Sequence, residues 1–207
     1  MRITAEAKQE VRKRILAAGK SLFRSKGFAE TTTRDLSRTA GIAVGTLFNY
    51  FPNKESLGMS ILAEALERGR SRFLEDDHGI SSLEEELFAH IASELRAMRP
   101  YRTFVGPVLE TAMSPFGPSQ ADGEGEAARQ DHLATVAEMI INRRGLDAAT
   151  SVTLHLYWSL YLGVLAFWSR DGSPNQEDTL AMLDQATRLF VASLSGPARD
   201  DHEGGTP

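Results

Sequence analysis

Residues Thr31–Leu57 have the sequence TTTRDLSRTAGIAVGTLFNYFPNKESL, and this segment decides the fold. Thr32 and Asp35 have the spacing of a helix N-terminal capping pair. A threonine hydroxyl can accept a hydrogen bond from a free backbone N–H, and a carboxylate stabilises the positive end of the helix dipole. We therefore expect a helix to begin near Thr33.

This first helix is short and amphipathic. Leu36 and Ala40 are four residues apart and face inward, whereas Arg34 and Arg38 lie on other faces. Gly41 ends the helix, because glycine tolerates the positive φ of a helix C-terminus.

A second short helix is predicted from Val44 to Tyr50. Leu47 and Phe51 have helical spacing and point back to the core. The outward face is small at its start and polar or aromatic further along, which suits a helix whose first residues enter the major groove of DNA. Two short helices around a glycine turn predict a helix-turn-helix DNA-binding unit.

The charge distribution points in the same direction. The first 55 residues contain eleven Lys and Arg against five Asp and Glu, a net charge of +6. The remaining residues carry −11, and no lysine occurs after Lys54. A basic leading segment on an acidic chain fits a unit that binds the phosphates of nucleic acid.

The chain resembles the TetR family of dimeric, ligand-responsive transcription regulators from about Gln9 to Leu66. The most diagnostic segment is GTLFNYFPNKESL, from Gly45 to Leu57, and the Lys26-Gly27-Phe28 exit from the first helix also fits. The resemblance implies that two recognition helices related by a two-fold axis bind a palindromic operator in double-stranded DNA.

The candidate DNA-binding residues combine the outward face with this resemblance. They are Thr32, Thr33, Arg34, Ala43, Val44, Gly45, Thr46, Phe48, Asn49, Tyr50 and Lys54. Two of them depart from the family pattern, which often has serine at the position of Ala43 and tyrosine at that of Phe48. The loss of these hydroxyls should weaken phosphate contacts or transfer them to neighbouring residues.

Helical periodicity predicts an all-α protein with a three-helix helix-turn-helix head and a larger helical domain, and the family resemblance implies that the larger domain binds a ligand and dimerises. The expected ranges are 1–55 for the head, 56–195 for the larger domain and 196–207 for a disordered tail. A chain of 207 residues without cysteine excludes disulfides and thiolate metal sites. The charged N-terminus lacks a signal-peptide core, so we expect a cytoplasmic protein.

Beyond the head, helical periodicity predicts a series of helices. They are expected at 55–73, 84–99, 101–113, 126–143, 147–170 and 175–194, with Ser82 or Ser81 capping the second. A kink is possible at Gly106-Pro107, and the segment Ser114–Gly125 is rich in turn-forming residues.

The segment Ala148–Ser169 contains no Asp, Glu, Lys or Arg and is long enough to span a bilayer. Its polar residues and the lack of a second such segment favour a buried helix over a membrane span. The family resemblance implies a homodimer through helices 147–170 and 175–194. In that interface Ser159, Gly163 and Ala166 would permit close approach, and Trp168 is a candidate anchor.

The resemblance also implies an effector pocket among the central helices. Candidate lining residues, for which ordinary core packing is the alternative, are Phe104, Leu109, Met113, Met139, His155, Tyr157, Trp158 and Tyr161. The scarcity of charge in these helices favours an uncharged, largely apolar effector. Arg96, Arg99 and Arg102 near one helix end keep an anionic ligand as an alternative.

Three classes of function remain for comparison. The first is a DNA-binding repressor released by a small molecule, and the second is a regulator controlled by a protein partner without an effector. The third, a helical enzyme, is not supported. The sequence shows no pair of histidines at helical metal-ligand spacing, no nucleophile elbow and no phosphate loop, and Asp131-His132 is interpreted as an isolated pair. No cofactor and no metal are predicted.

Overall fold

The structure, a computed structural model, describes residues 4–76, 79–112 and 123–194. Within these ranges the chain forms nine α-helices and no β-strand, so the predicted all-α fold is confirmed. The helices are α1 (Ala5–Ser25), α2 (Thr33–Ala40), α3 (Val44–Phe48), α4 (Lys54–Glu75), α5 (Leu83–Met98), α6 (Arg102–Ala112), α7 (Glu124–Arg144), α8 (Ser151–Arg170) and α9 (Glu177–Leu194).

Helices α1, α2 and α3 form the head around a small apolar core. Ile15, Leu36 and Leu47, one from each helix, are almost completely buried. Helix α4 begins in this head and packs closely on α1, because a Cβ atom at Gly19 would lie only 3.0 Å from side-chain atoms of Leu57 and Ile61. The head is therefore attached directly to the helix that continues into the rest of the chain.

The remaining helices build a larger body on α4. Helix α5 runs along α4, α7 packs against both, and α9 lies between α5 and α8. At Gly69 the backbones of α4 and α5 are so close that a Cβ atom would lie 2.6 Å from the Cα of Glu94. The Ser93 hydroxyl donates a hydrogen bond of 2.9 Å to the Gly69 carbonyl at the same place.

Three phenylalanines join the head to the body. The ring of Phe104 on α6 lies 5.2 Å from that of Phe23 on α1 and 5.7 Å from that of Phe28, measured between centroids. Phe104 is completely buried in this contact. Edge-to-face and stacked aromatic pairs of this kind add to the burial of apolar surface.

The last two helices begin later than predicted because the chain supplies other caps. The Thr150 hydroxyl accepts a hydrogen bond from the N–H of Thr153, so α8 begins at Ser151 after a short 3-10 turn at Leu146–Ala148. Helix α9 begins at Glu177 rather than Asn175, since Asn175 has a positive φ of 52°.

Trp168 lies inside one chain, with only 1% of its surface exposed. Arg102 donates a hydrogen bond of 2.7 Å to the Trp168 carbonyl and another to the Asp171 carbonyl. The prediction that Trp168 anchors the dimer interface is therefore wrong, because its ring already packs within the core. The guanidinium of Arg102 is likewise used in holding α6 to the end of α8.

Some predictions fall outside the described residues. These are Met113, most of the turn-rich segment and the proposed tail at 196–207. Helix α7 already begins at Glu124, so the end of the predicted Ser114–Gly125 loop is helical. Pro107 lies inside the continuous helix α6. The domain boundary at 55/56 stays a prediction, and α4 runs across it.

Candidate functional site

The first half of the helix-turn-helix is fixed by a reciprocal cap. The Thr32 hydroxyl accepts from the N–H of Asp35 at 3.2 Å, and the Asp35 carboxylate accepts from the N–H of Thr32 at 3.1 Å. Lys26 donates to the same carboxylate at 2.5 Å. Hydrogen bonds from Lys26 and Thr32 hold the pKa of Asp35 well below its usual value, so the carboxylate stays charged and the cap stays formed.

The turn and the start of the second helix agree with the prediction, but the second helix ends two residues earlier than predicted. Gly41 adopts the left-handed conformation, with a φ of 67°. Helix α3 begins at Val44 as expected but ends at Phe48, and Asn49 forms its C-terminal cap. Its recognition face is therefore a little more than one helical turn long.

Most predicted DNA-binding residues lie at the surface of the head. Phe48 is 48% exposed and Val44 is 37% exposed, so both side chains are accessible for contact with a partner. The exposed members of the set are Thr32, Arg34, Ala43, Val44, Gly45, Phe48 and Asn49, and the half-buried ones are Thr33, Thr46, Tyr50 and Lys54. Their contact with DNA stays a prediction.

Lys54 has a structural task in addition to its predicted one. Its ammonium group donates to the carbonyls of Phe28 at 2.7 Å and Ala29 at 3.2 Å, and it lies 4.5 Å from the centre of the Phe28 ring. An ammonium has three donors, so these carbonyls occupy two of them. Replacing Lys54 would thus alter the stability of the head as well as any phosphate contact.

Arg34 is a better candidate for a phosphate contact. It lies in the first turn of α2, is exposed, and makes no ion pair or hydrogen bond with another side chain in the described ranges. Arg14 also reaches this surface, since its guanidinium lies 3.6 Å from the position of a Cβ at Gly41.

Ala43 occupies the N-cap of α3 without providing a side-chain hydrogen bond. Ala43→Ser is expected to raise the free energy of unfolding by about 1 kcal/mol, because a serine hydroxyl at this position can accept from a free N–H of the helix. Urea unfolding followed by circular dichroism measures the effect. The control is Ala17→Ser on the exposed side of α1, where serine has no cap to form. Equal effects of both changes would contradict the capping argument.

A cleft of about 580 Å³ lies between α1, α4 and α7. Its lining residues are Arg12, Ala63, Glu64, Leu66, Glu67, Arg68, Arg70, Glu94, Glu124, Ala127, Ala128, Asp131 and His132. An ion pair between Arg12 of the head and Glu124 at the start of α7 crosses it. The cleft thus contains apolar surface, charges of both signs and one side chain from the head.

The floor of the cleft is a buried cluster of polar side chains. His132 Nδ1 lies 2.8 Å from Glu94 Oε1, and His132 Nε2 lies 3.0 Å from the Tyr157 hydroxyl. The Tyr161 hydroxyl donates to Glu94 Oε2 at 2.9 Å. Both carboxylate oxygens and both His132 ring nitrogens therefore have partners.

The Glu94 carboxylate is ionised despite its complete burial. Burial raises its pKa, but the electrostatic interaction with His132 and the hydrogen bonds from His132 and Tyr161 outweigh this and hold it below the usual value. Burial and the nearby carboxylate raise the pKa of Tyr157 and Tyr161 well above the ordinary range. Both hydroxyls therefore keep their protons.

His90 completes the cluster, but it has fewer hydrogen-bond partners than Glu94 and His132. Its Nε2 lies 3.6 Å from Glu94 Oε1, and its ring packs 5.1 Å from that of Phe73. Burial lowers the pKa of His90 to about 4, so its ring is neutral at pH 7. Neither ring nitrogen has a hydrogen-bond partner among the described residues. An unsatisfied buried polar group costs about 1–3 kcal/mol, so this arrangement requires an explanation.

The predicted effector residues are divided between several places. Tyr157 and Tyr161 lie in the buried polar cluster, and the Trp158 ring lies 5.8 Å from that of His132. Phe104 lies in the contact between head and body, Met139 is buried in the core, and Leu109 packs beside it. His155 is exposed on α8. None of these seven forms the cleft wall, and their role in binding stays a prediction.

His90, Glu94 and His132 were not among the predicted functional residues. The interpretation of Asp131-His132 as an isolated pair is wrong, because His132 contacts both Glu94 and Tyr157. One signal was present, since His90 and Glu94 are four residues apart and so lie on one face of a helix. Their meeting with His132 depends on how α5 packs with α7.

Helices α8 and α9 carry exposed apolar side chains on their outer faces. The residues and their exposed fractions are Val152 76%, Leu156 46%, Phe167 42%, Leu180 43% and Leu189 60%. Gly163 lies between those of α8, and no atom of the described residues outside its own helix backbone and chain neighbours lies within 4 Å of a Cβ placed there. We call this the α8–α9 face, and its apolar composition fits a surface that binds a protein.

Helix α8 is long and apolar enough to cross a membrane, and it is the one helix in the described ranges with both properties. The core helix of a soluble protein can have the same length and composition. Tyr161, Val164 and Trp168 on one side of α8 are buried against the rest of the chain, which fits a core helix with one uncovered face.

Residues 15–58 match the profile of the family described as "Bacterial regulatory proteins, tetR family". The matched range contains most of α1, all of α2 and α3, and the start of α4. It covers the helix-turn-helix and the contact of α4 with α1.

Characterised relatives extend the likeness beyond the head. The transcriptional regulator UidR of Escherichia coli K12 is 35% identical over 167 residues, which cover 76% of this chain and 81% of that protein. The transcriptional repressor KstR of Mycolicibacterium smegmatis is 28% identical over 199 residues, or 93% of each chain. Both proteins are helix-turn-helix regulators by description.

Solved structures share the whole fold. The chain superposes on Thermus thermophilus FadR, a TetR-family transcriptional repressor in complex with lauroyl-CoA, with a TM-score of 0.70. The identity is 21%, over 94% of this chain and 100% of that one. Bacillus subtilis FadR in complex with stearoyl-CoA gives a TM-score of 0.60 at 16% identity, over 87% and 98% of the two chains.

Proposed function

The chain belongs to the TetR family of transcription regulators, and from this premise we propose that it is a dimeric, cytoplasmic repressor of transcription. It binds a palindromic operator through α3 and the start of α2, and a small molecule releases it. The observation that carries this proposal is the path of α4, which begins in the head and supplies one wall of the cleft.

Helix α4 couples the two regions mechanically. Leu57 and Ile61 in its first half pack on α1 of the head, while the cleft is lined by residues 63–70 of the same helix. A ligand in the cleft that shifts α4 must therefore shift the head. Release from DNA requires only that the ligand binds the two positions of α4 with different affinity.

The α8–α9 face supports a homodimer. It places uncovered apolar surface on the two helices for which family resemblance implied the interface. Two heads on one dimer bind adjacent major grooves, about 34–36 Å apart, only if this interface holds them in a fixed relation. A palindromic operator follows from that two-fold symmetry.

The cleft modifies the expected chemistry of the effector. Ala63, Leu66, Ala127 and Ala128 offer apolar surface, but charged side chains surround them. We therefore propose an amphipathic ligand with an apolar portion and a polar or anionic group, in place of a wholly apolar one. Two FadR proteins of the same fold were solved with acyl-CoA, a ligand class of this kind. An anionic group would compete with Glu124 for Arg12 of the head.

The test of DNA binding uses the region that flanks the gene of this protein. Fluorescence anisotropy at physiological salt, with excess random DNA as competitor, should show a competitor-resistant complex with two chains per site. Nuclease protection of two inverted half-sites is expected. Binding to random DNA with equal affinity would contradict a sequence-specific regulator.

Two substitutions in the head should separate phosphate contacts from base recognition. Arg34→Ala is expected to weaken binding to operator and random DNA alike and to reduce the salt slope by about 1 for each head. Asn49→Ala should mainly reduce the preference for operator over random DNA, since its side chain lies exposed at the end of α3.

The control for both is Arg144→Ala, an exposed arginine at the end of α7 far from the head in the chain fold. It should leave both affinities unchanged. If Arg34→Ala behaves like this control, the assignment of the α2 start to the DNA-binding face is wrong.

A further inference from the structure

Three side chains of the kind that bind transition metals meet at the floor of the cleft. His90 and Glu94 come from consecutive turns of α5, and His132 comes from α7. Their potential ligand atoms all lie within 4.8 Å of one another. Two imidazoles and a carboxylate form a donor set that suits zinc and neighbouring divalent metals better than magnesium or calcium.

Two of the three distances between donor atoms are close to those around one shared ion. Zinc lies about 2.0–2.2 Å from its nitrogen and oxygen ligands, so tetrahedral neighbours are about 3.3 Å apart. His90 Nε2 and Glu94 Oε1 are 3.6 Å apart, close to that value. His132 Nδ1 and Glu94 Oε1, at 2.8 Å, would separate by about half an ångström as the metal replaces the hydrogen bond between them.

The surrounding groups already orient two of the ligands. With Nδ1 of His132 facing the metal, its Nε2–H donates to the Tyr157 hydroxyl, which lies 3.0 Å away. The second oxygen of Glu94 accepts from Tyr161. Metal-binding histidines and carboxylates usually have such outer partners, because these fix the tautomer and the direction of the ligand atom.

His90 supplies an independent observation. It is completely buried, and both of its ring nitrogens lack a hydrogen-bond partner among the described residues. The Glu94–His132–tyrosine network is satisfied without it. A polar network alone therefore gives no reason for an imidazole at this position, whereas a metal ion would bind its Nε2.

We propose that His90, Glu94 and His132 bind a divalent transition-metal ion of the zinc class. Glu94 and His132 also line the cleft, so water or a donor atom of a bound ligand completes the coordination. Metal binding itself does not depend on DNA binding. The use of the ion to hold an anionic group of the effector rests on the proposed function.

The test uses the full chain without a polyhistidine tag, stripped with a chelator and dialysed. Isothermal titration with Zn²⁺ should give one ion per chain with a Kd below about 1 μM. Titration with Co²⁺ should give a visible absorption band of a four- or five-coordinate centre, which Zn²⁺ removes by competition. Mg²⁺ and Ca²⁺ should not compete.

Glu94→Gln keeps the shape of the side chain and removes its charge, and it should weaken Zn²⁺ binding by more than about 100-fold. Tyr157→Phe, which leaves all three ligands in place, should weaken it by about 10–100-fold. His155→Ala removes an exposed histidine of α8 and should bind like the unaltered chain. Circular dichroism of each metal-free variant verifies that it is folded.

The proposal is overturned if the unaltered chain does not bind Zn²⁺ at one ion per chain, or if His155→Ala removes the binding. It is also overturned if folded Glu94→Gln binds as tightly as the unaltered chain. Operator binding is measured on the same samples by anisotropy. Zinc binding at one ion per chain without operator binding would support the metal site and contradict the proposed function. Operator binding without zinc binding would support the proposed function and overturn the metal site.

Discussion

Leu156→Asp combined with Phe167→Asp is expected to convert the dimer to a monomer and to weaken operator binding by about 10²–10⁴-fold. Both side chains are exposed on the α8–α9 face, and carboxylates there would be buried without partners in a dimer. A single head loses the gain that two linked heads obtain by binding together. Light scattering coupled to size-exclusion chromatography measures the first effect, and anisotropy with operator DNA the second.

The matched control for this double variant is Leu74→Asp. Leu74 is 58% exposed near the end of α4, outside the α8–α9 face. It should remain dimeric and bind the operator normally. A double variant that stays dimeric would show that the chains associate through another surface.

Gly69→Ala is expected to lower the free energy of unfolding by about 3 kcal/mol, at the upper end of the usual cost of overpacking. The added methyl carbon would lie 2.6 Å from the Cα and 3.0 Å from the backbone nitrogen of Glu94. Backbone atoms cannot turn aside as a flexible side chain can, so α4 and α5 must move apart. The hydrogen bond from Ser93 to the Gly69 carbonyl would be disturbed at the same time. Urea unfolding followed by circular dichroism measures the loss.

Gly172→Ala serves as the control for Gly69→Ala. Among the residues that the structure describes, no atom beyond the chain neighbours of Gly172 lies within 4 Å of a Cβ there, so the same addition should have little effect on stability. If Gly69→Ala were equally neutral, the close approach of α4 and α5 described here would be wrong.

The head was predictable because its signals are local. The cap formed by Thr32 and Asp35 depends on residues three apart, and the turn depends on a single glycine, Gly41. Such signals act within one or two turns of the chain, so a sequence pattern contains them completely. The start of α5 at the Ser82 cap was predictable for the same reason.

The cleft and its floor were not predictable because their residues meet only through packing. Glu94 and His132 are 38 positions apart, and their contact depends on the angle between two helices. A pattern of apolar spacing shows that a helix has a buried side but not which neighbour covers it. Trp168 illustrates this limit, since periodicity placed it on an apolar helix but did not distinguish the inner side from the outer.

Lys54 shows the same limit at a single residue. Its position in the family-like segment suggested a phosphate contact, whereas the fold places its ammonium on two backbone carbonyls at the exit from α1. The sequence identifies the charged residue, but the tertiary structure determines how many N–H donors of its ammonium group remain available for DNA.

Because α4 is long, a small tilt at the cleft would move its other end, in the head, by several ångströms. Its 22 residues form a rod about 33 Å long, and the cleft contacts it about 18 Å from the end that enters the head. A tilt of about 10° around the cleft would move that end by about 3 Å. In a two-fold dimer the opposed motions would add, and a hydrogen bond to a base edge fails over a much smaller error. In the proposed dimer, a small tilt of α4 would therefore be enough for both heads to lose their match to the operator.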